Sequence, residues 1–285
     1  MKTKQNLMKL VLTLFAYILF QGYLEAADSI YYFTTFGGDK DQKLYIYSSL
    51  DGENFSLFDY TGFGGPTGIL RDPGFMYYNG KYYIAFTTES WNTSSTSFAI
   101  ASSSNLLCWT TIATVNCGIP GTYYTWAPDW FVDSCKIKLI VNIGSGDSSM
   151  KPYIFTANDN TLTSWSSPVD MGIGTNHIDA FVVKSDGTYY CFSKDENSKN
   201  IVSATASRLT GPWTLKSVLW NGYEGVCVIK SDNGMWRIYI DHYSVGDGLY
   251  TATSSDLNIW SSLSKLNFGR HGACLKTTSK FKVPD

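Results

Sequence analysis

The chain has 285 residues, of which 44% are hydrophobic and 16% charged. This balance is typical of a folded globular protein and excludes a disordered chain. The 22 basic and 24 acidic residues leave a net charge of −2, which excludes the basic footprint of a nucleic-acid-binding protein. A chain of this length can form one large β domain without a second one.

The first 27 residues have the layout of a secretory signal peptide. Lys2, Lys4 and Lys9 precede an apolar run over residues 10–20, and Ala26 and Ala27 supply the small residues of a cleavage site. The run is too short to span a bilayer comfortably, and an uncleaved anchor is the alternative. We therefore expect a secreted, extracellular protein whose mature domain, residues 28–285, has no membrane contact after cleavage.

Secretion permits disulfides among the six cysteines, and the sequence leaves 15 complete pairings open. Cys108 and Cys117 are close in sequence and flank a predicted outer strand, so this pair is favoured. Cys191, Cys227 and Cys274 lie in apolar strand patterns, where free thiols that pack as small hydrophobic groups are the alternative. No CxxC spacing is present, which argues against a zinc or redox motif.

Short β-strands follow in a repeated order. Residues 30–58 contain three predicted strands, and tight turns then join later β-runs at residues 79–80 (Asn-Gly), 186–187 (Asp-Gly) and 233–234 (Asn-Gly). Such dipeptides between β-runs are strong hairpin signals. After each hairpin comes another strand, a polar turn and an aromatic residue that opens a last strand. Four antiparallel strands per unit are typical of a propeller blade.

An acidic residue or a histidine stands just before the first β-run of each unit. The five residues are separated by 57, 50, 45 and 47 positions, and they are Asp72, Asp129, Asp179, Glu224 and His271. A period of this length is typical of propellers and solenoids. We therefore predict an all-β, five-bladed β-propeller in which the five side chains project into one mouth of the central channel.

The two ends of the chain are predicted to complete the fifth blade. The N-terminal strands lack an inner strand, and residues 271–275 supply one. A blade built from both ends closes the ring and removes exposed sheet edges. No sustained helical period follows residue 27.

A ring of carboxyl groups in a sugar-sized channel indicates chemistry on glycosidic bonds. One carboxyl group protonates the leaving oxygen, and a second acts as a base for water or as a nucleophile. Neighbouring carboxyl groups also separate one another's pKa values, which distinguishes acid from base. Three aspartates and one glutamate can supply both the acid and the base or nucleophile.

Five short sequence motifs, in chain order, resemble those of glycoside hydrolase family 43, the five-bladed propeller enzymes of the arabinanase, arabinofuranosidase and β-xylosidase type. The motifs are residues 72–73 (Asp-Pro), 126–129 (Trp-Ala-Pro-Asp), 178–179 (Ile-Asp), 224–225 (Glu-Gly) and 270–272 (Arg-His-Gly). The resemblance covers nearly all of residues 28–285. It implies an inverting hydrolase of arabinose- or xylose-containing plant polysaccharide or oligosaccharide.

The resemblance also implies a role for each residue. Asp72 is the expected general base, Glu224 the general acid, and Asp179 orients and tunes the acid. The expected substrate-binding residues are Arg71, Trp126, Asp129, Arg270 and His271, the last near the channel centre. In an inverting enzyme the two catalytic carboxyl groups lie about 6.5–9.5 Å apart.

Several assignments stay open in the sequence. Arg71 either influences the neighbouring carboxyl group or binds substrate. No cofactor is required, but some family members hold a calcium ion in the channel near the equivalent of His271, and no dedicated metal loop is present here. His242 either reaches the site from a loop or, as we favour, is satisfied locally. At least one of Trp126 and Trp130 is expected to be structural packing.

Other functions compete with this interpretation. A non-catalytic carbohydrate-binding propeller keeps the same fold, although the complete set of carboxylates argues against it. Galactan is another candidate substrate. A sialidase holds a sugar carboxylate with three arginines, whereas only Arg71 and Arg270 of the four arginines lie beside the ring. The sequence does not identify the sugar, the anomer or the mode of action, and we expect a monomer whose partner is a glycan.

Overall fold

The computed structural model describes residues 29–146 and 149–278. These residues form five antiparallel four-stranded sheets, which are the blades of a propeller. Within the same ranges there is no α-helix, and so no helix that is long and apolar enough to span a bilayer. The predicted signal peptide, residues 1–27, lies outside the described residues.

Four blades are each built from strands that follow one another in the chain, with the first strand innermost. Blade 1 contains β4 (Arg71–Tyr78), β5 (Lys81–Thr87), β6 (Ser97–Ser103) and β7 (Thr110–Asn116). Blade 2 contains β8 (Tyr124–Asp133), β9 (Lys136–Gly144), β10 (Lys151–Thr156) and β11 (Val169–Asp170). Blade 3 contains β12 (His177–Ser185), β13 (Thr188–Asp195), β14 (Asn200–Ala206) and β15 (Thr214–Asn221). Blade 4 contains β16 (Glu224–Lys230), β17 (Trp236–Asp241), β18 (Leu249–Ser254) and β19 (Ser264–Lys265).

Blade 5 joins the two ends of the described chain. Its order is β20 (Gly272–Thr278), β1 (Ser29–Phe36), β2 (Leu44–Ser49) and β3 (Ser56–Tyr60). β20 pairs antiparallel with β1 from Thr35 opposite Gly272 to Ser29 opposite Thr278. The five-bladed propeller and its closure by a C-terminal strand are therefore confirmed.

The hairpin turns explain why the blades form locally. At residues 79–80 both central residues are left-handed, with φ of 47° at Asn79 and 79° at Gly80, which matches the twist of the flanking strands. The Asp-Gly turn at residues 186–187 has the same form. The equivalent turn of blade 2 is Ser134-Cys135, with φ of 51° and 63°. This turn has no glycine, so the sequence gives no hairpin signal there.

The inner strands contact one another around the ring in the order β4, β8, β12, β16 and β20, and β20 returns to β4. Large apolar side chains fill the spaces between the sheets. Phe33 of β1, for example, lies 5.3 Å from the rings of both Tyr239 and Phe268. The Tyr239 hydroxyl also donates to the Gly52 carbonyl at 2.8 Å, which joins blade 4 to blade 5. One end of each inner strand consequently faces a common channel.

The predicted pairing of Cys108 with Cys117 is wrong, because all six cysteines are free thiols. The two residues flank opposite ends of β7, and a seven-residue strand spans about 20 Å, well beyond the reach of a disulfide. The Cys117 thiol instead lies 3.3 Å from the Thr122 hydroxyl. Cys191, Cys227 and Cys274 are buried, as the packing alternative predicts.

Candidate active site

A bulge at the start of the inner strand places the functional side chains of four blades. The ladder is irregular between residues 71 and 74, 126 and 129, 178 and 181, and 224 and 227. The second residue of each bulge is left-handed, with φ of 51° at Asp72, 45° at Ala127, 53° at Asp179 and 63° at Gly225. A bulge re-aims the side chains beside it, and here it does so at the same end of each blade.

The bulges show that the predicted acidic residues do not occupy equivalent positions in their strands. Asp72 and Asp179 occupy the second bulge position, whereas Glu224 occupies the first and Asp129 the fourth. Asp129 therefore does not share the mouth of the channel. It lines a void of about 10 Å³ beneath the pocket, beside Gly74, and Trp130 N donates to its Oδ1 at 2.7 Å.

The mouth of the channel is an open pocket of about 380 Å³. Seven of the eight predicted site residues line it, namely Arg71, Asp72, Trp126, Asp179, Glu224, Arg270 and His271. They come from all five blades, so only the closed ring brings them together. A volume in this range suits a small ligand such as a sugar unit.

His271 lies between two carboxyl groups at the centre of the site. Its Nδ1 is 3.4 Å from Asp72 Oδ1 and 3.7 Å from Asp179 Oδ2. Burial lowers the pKa of His271, but the charges of Asp179 and Asp72 outweigh burial, so the pKa is raised above its ordinary value. The imidazole therefore tends to carry a positive charge between the two acids.

Asp72 is held by a residue that sequence reasoning missed. The Thr87 hydroxyl, completely buried at the end of β5, donates to Asp72 Oδ2 at 3.0 Å. The same hydroxyl accepts a hydrogen bond from Ala127 N at 2.8 Å. One carboxyl oxygen of Asp72 is thus fixed by Thr87 while the other faces His271. No sequence motif marks Thr87.

Asp179 connects blade 3 to the segment that carries Glu224. Gly225 N donates to Asp179 Oδ2 at 3.0 Å. Burial raises the pKa of Asp179 to about 6, although the charge of His271 opposes this rise. Asp179 is therefore a strong candidate for positioning Glu224 through the backbone of the next residue.

Glu224 has a cationic partner that the sequence analysis did not identify. Lys194 Nζ lies 2.9 Å from Glu224 Oε2 and 2.8 Å from Glu196 Oε1. The Lys194 side chain is only 6% exposed, and its ammonium lies 3.8 Å from the centre of the Tyr243 ring. Burial lowers the pKa of Lys194, but the charges of Glu224 and Asp179 reverse the effect and raise it. Lys194 stands between Ser193 and Asp195 at the end of β13, and no sequence motif marks it.

Arg270 is oriented by a second missed residue, Asp241. Arg270 Nε donates to Asp241 Oδ2 at 2.7 Å, and His271 N donates to the same oxygen at 3.1 Å. Burial raises the pKa of Asp241 to about 6, while the Arg270 charge opposes this change. Asp241 thereby fixes both the guanidinium of Arg270 and the backbone of His271 in the Arg-His-Gly motif.

Aromatic side chains form one wall of the pocket. The Trp126 ring lies 4.3 Å from the Tyr124 ring, and Trp91, which is 56% exposed, also lines the pocket. Trp130 is buried in the core and donates from Nε1 to the Gly74 carbonyl at 3.2 Å. The expectation that one of Trp126 and Trp130 is structural is confirmed.

His242 is satisfied locally, as favoured from the sequence. Its Nδ1 lies 2.8 Å from Asp247 Oδ1, and its ring stacks on Tyr223 with centres 4.3 Å apart. It is absent from the pocket lining within the described part of the chain.

The donor side chains of the described residues do not group into a metal site. Within residues 29–146 and 149–278, no group of three or more histidine, cysteine, aspartate or glutamate side chains is arranged to hold one. The residues described near His271 therefore do not fit a metal held by such side chains.

The fold and the site together define the class of protein. Carboxyl groups, a histidine and an aromatic wall meet at one end of the channel of a five-bladed propeller, which is the arrangement of a propeller glycoside hydrolase. Residues 15–281 match the family model described as "Probable glycosyl hydrolase domain". The chain therefore belongs to this family, which is related to glycoside hydrolase family 43.

Solved structures share the fold at low sequence identity. An endo-arabinase from Bacteroides thetaiotaomicron is 15% identical with a TM-score of 0.65, over 86% of this chain and 94% of that chain. An exo-β-1,3-galactanase from Phanerochaete chrysosporium, solved with β-1,3-galactotriose, is 14% identical with a TM-score of 0.65, over 84% and 60%. The family 43 protein BlXynB from Bacillus licheniformis is 17% identical with a TM-score of 0.58 over 82% of this chain, which spans only about half, 52%, of BlXynB. No curated protein matches the chain.

Proposed function

We propose that this protein is a secreted glycoside hydrolase that cleaves arabinose- or xylose-containing glycans with inversion at the anomeric carbon. The observation that carries the proposal is the meeting of Asp72, Asp179 and Glu224 from three blades in one pocket. Family membership supports hydrolysis of a glycosidic bond. The signal-like sequence of residues 1–27 supports secretion.

Asp72 is proposed as the general base. Thr87 donates to one of its carboxyl oxygens at 3.0 Å, and His271 Nδ1 lies 3.4 Å from the other. The carboxylate removes a proton from a water molecule as the water oxygen bonds to the anomeric carbon. The bond from that carbon to the leaving oxygen breaks in the same step.

Glu224 is proposed as the general acid that protonates the leaving oxygen. In the substrate-free site its carboxyl group accepts a hydrogen bond from Lys194 Nζ at 2.9 Å. Glu196, already 2.8 Å from Lys194 Nζ, provides the alternative partner. Asp179 keeps the acid in place through its bond from Gly225 N.

Substitution of the two carboxyl groups tests this assignment. Asp72→Ala and Glu224→Gln should each lower kcat by about 10²–10⁴-fold without unfolding the protein. Asp186→Asn, which alters an exposed turn, is the matched control and should keep full activity. Hydrolysis is measured on arabinan, arabinoxylan, galactan and nitrophenyl glycosides, and folding by circular dichroism.

Proton NMR of the first-formed anomer tests the stereochemistry. Inversion is the expected result. A product that retains configuration would reject Asp72 as the base for water, and full hydrolysis by Glu224→Gln would reject Glu224 as the acid. Binding of arabino-oligosaccharides without any product would favour the non-catalytic propeller.

A further inference from the structure

Arg71 carries a guanidinium in the pocket wall that has no polar partner among the residues that the structure describes. Its Nε is buried, and no acceptor within the described residues hydrogen-bonds to it. The guanidinium also takes part in no ion pair within residues 29–146 and 149–278, although Asp72 is the next residue in the chain. A buried donor without an acceptor destabilises the protein until a ligand supplies one.

The other two basic side chains of the pocket are already occupied. Lys194 is held between Glu224 and Glu196, at 2.9 and 2.8 Å. Arg270 donates to Asp241 at 2.7 Å. Arg71 is therefore the basic group of the described pocket that is available to a ligand.

Phe36 fixes the position of the Arg71 charge. The Arg71 guanidinium carbon lies 5.5 Å from the centre of the Phe36 ring, and the Arg270 guanidinium carbon lies 5.9 Å from the same centre. Phe36 is only 2% exposed, so the ring is rigidly packed. Contact with an aromatic ring orients a guanidinium without neutralising it. The closed ring thus brings together the two arginines that the sequence shows as distant.

The chemistry of this arrangement favours an anionic ligand group. A sugar hydroxyl offers a guanidinium one neutral hydrogen bond, whereas a carboxylate matches its planar fork with two charge-assisted bonds. The carboxyl groups of Asp72, Asp179 and Glu224 would otherwise repel an acidic sugar from the pocket. An unpaired arginine beside them offsets this repulsion at one defined point.

We propose that the pocket recognises glycans that contain a uronic acid, and that Arg71 binds the sugar carboxylate. Glycans with a uronic acid are thereby the substrate class of the proposed hydrolase. Only cleavage of the glycan depends on that proposed function. Binding of the acidic sugar requires only the pocket and Arg71.

Calorimetric titration with matched ligand pairs tests the proposal. The probes are xylotriose bearing one glucuronic acid and digalacturonic acid, each compared with its carboxyl-reduced neutral form. At least one acidic probe should bind about tenfold or more tightly than its neutral form. The preference should weaken as salt is added.

Variants of two arginines provide the control. Arg71→Met should remove the preference for the acidic probe over its neutral form, and Arg71→Lys should restore part of this preference. Arg208→Met, an exposed arginine outside the pocket, should retain the full preference. Equal binding of acidic and neutral probes by the unmodified protein, or a preference that survives Arg71→Met, would overturn the proposal.

Hydrolysis assays separate this inference from the proposed function. Preference for the acidic probe through Arg71, in a protein that hydrolyses no glycan, would reject the hydrolase and keep the carboxylate site. Hydrolysis of neutral arabino-oligosaccharides without any acidic preference would keep the hydrolase and reject the carboxylate site.

Discussion

At the scale of single residues, the acids of the channel differ because their partners differ. Asp72 has a hydroxyl donor and a histidine, and Asp179 has a backbone donor and the same histidine. Asp129 lies deeper, beside a glycine, and accepts only from Trp130 N among the described residues. Burial raises the pKa of Asp129 to about 7, and the Trp130 bond and the charge of His271 only partly oppose this.

This shift predicts a pH-dependent stability. The ordinary pKa of Asp129 is 3.8, so between about pH 4 and 7 the unfolded chain loses this proton while the folded protein retains it. Stability from this group is therefore greatest below pH 4 and falls as pH rises to 7. The amide of Asp129→Asn does not titrate. The free energy of unfolding of this variant, relative to that of the unmodified protein, should therefore rise by about 2–4 kcal/mol when the pH is raised from 4 to 8. Urea unfolding at both pH values measures the change, and a pH-independent difference would contradict it.

At the scale of elements, the inner-strand bulges depend on glycines where neighbouring blades approach closely. A Cβ on Gly74 would lie 2.5 Å from the Pro128 carbonyl oxygen, across the boundary between blades 1 and 2. A Cβ on Gly225 would lie 2.5 Å from Cγ of His271, across the boundary between blades 4 and 5. Gly225 also has φ of 63°. The bulge therefore needs glycine both for its backbone conformation and for space.

Two glycine substitutions separate these requirements. Gly225→Ala should lower the free energy of unfolding by about 3 kcal/mol, because it combines left-handed strain with the clash against His271. Gly187→Ala is the matched control: it has φ of 80° in a hairpin turn with open space around it, and it should cost only about 1 kcal/mol.

Activity provides a second readout of the Gly225 substitution. Displacement of the adjacent Glu224 should lower hydrolysis at least tenfold in Gly225→Ala, whereas Gly187→Ala should remain fully active. Equal losses of stability in the two variants would show that His271 yields without cost, and that space is not required at Gly225.

At the scale of the whole molecule, β20 is the strand that closes the ring. It pairs with β1 along its length and contacts the inner strands β4 and β16 of the neighbouring blades. The Thr34 hydroxyl reinforces this junction, with the Pro73 and Ala273 carbonyl oxygens at 3.2 and 3.3 Å. Closure therefore joins the first, fourth and fifth blades, and it positions Arg270 and His271 in the pocket.

Removal of the closing strand should abolish cooperative folding. A chain truncated after Phe268 leaves the edge of β1 unpaired, and an open edge promotes association with other chains. We expect loss of a single sharp thermal transition and the appearance of oligomers in size-exclusion chromatography. The full chain with His271→Ala is the control for loss of the histidine, and it should remain folded and monomeric. A truncated chain that unfolds as sharply as the full chain would contradict the role of β20.

The sequence by itself determined the blade pattern, because its signals are local. Alternating apolar residues and the Asn-Gly and Asp-Gly turns specify hairpins within a few residues. The interval between motifs then counts the blades, and the acids at Asp72, Asp179 and Glu224 were predicted at one pocket on that basis. The turn at Ser134-Cys135 was not predicted, because its left-handed residues are not glycine or asparagine.

Only the tertiary structure decided which side chains meet. One extra residue in each bulge shifts the phase of the inner strand, and this shift places Asp129 below the pocket rather than at its mouth. The partners Lys194 and Asp241, and the approach of Arg71 and Arg270 to one phenylalanine ring, arise between blades. Such contacts depend on how a closed ring packs its sheets together, and no local pattern encodes a distance between residues that are far apart in the chain.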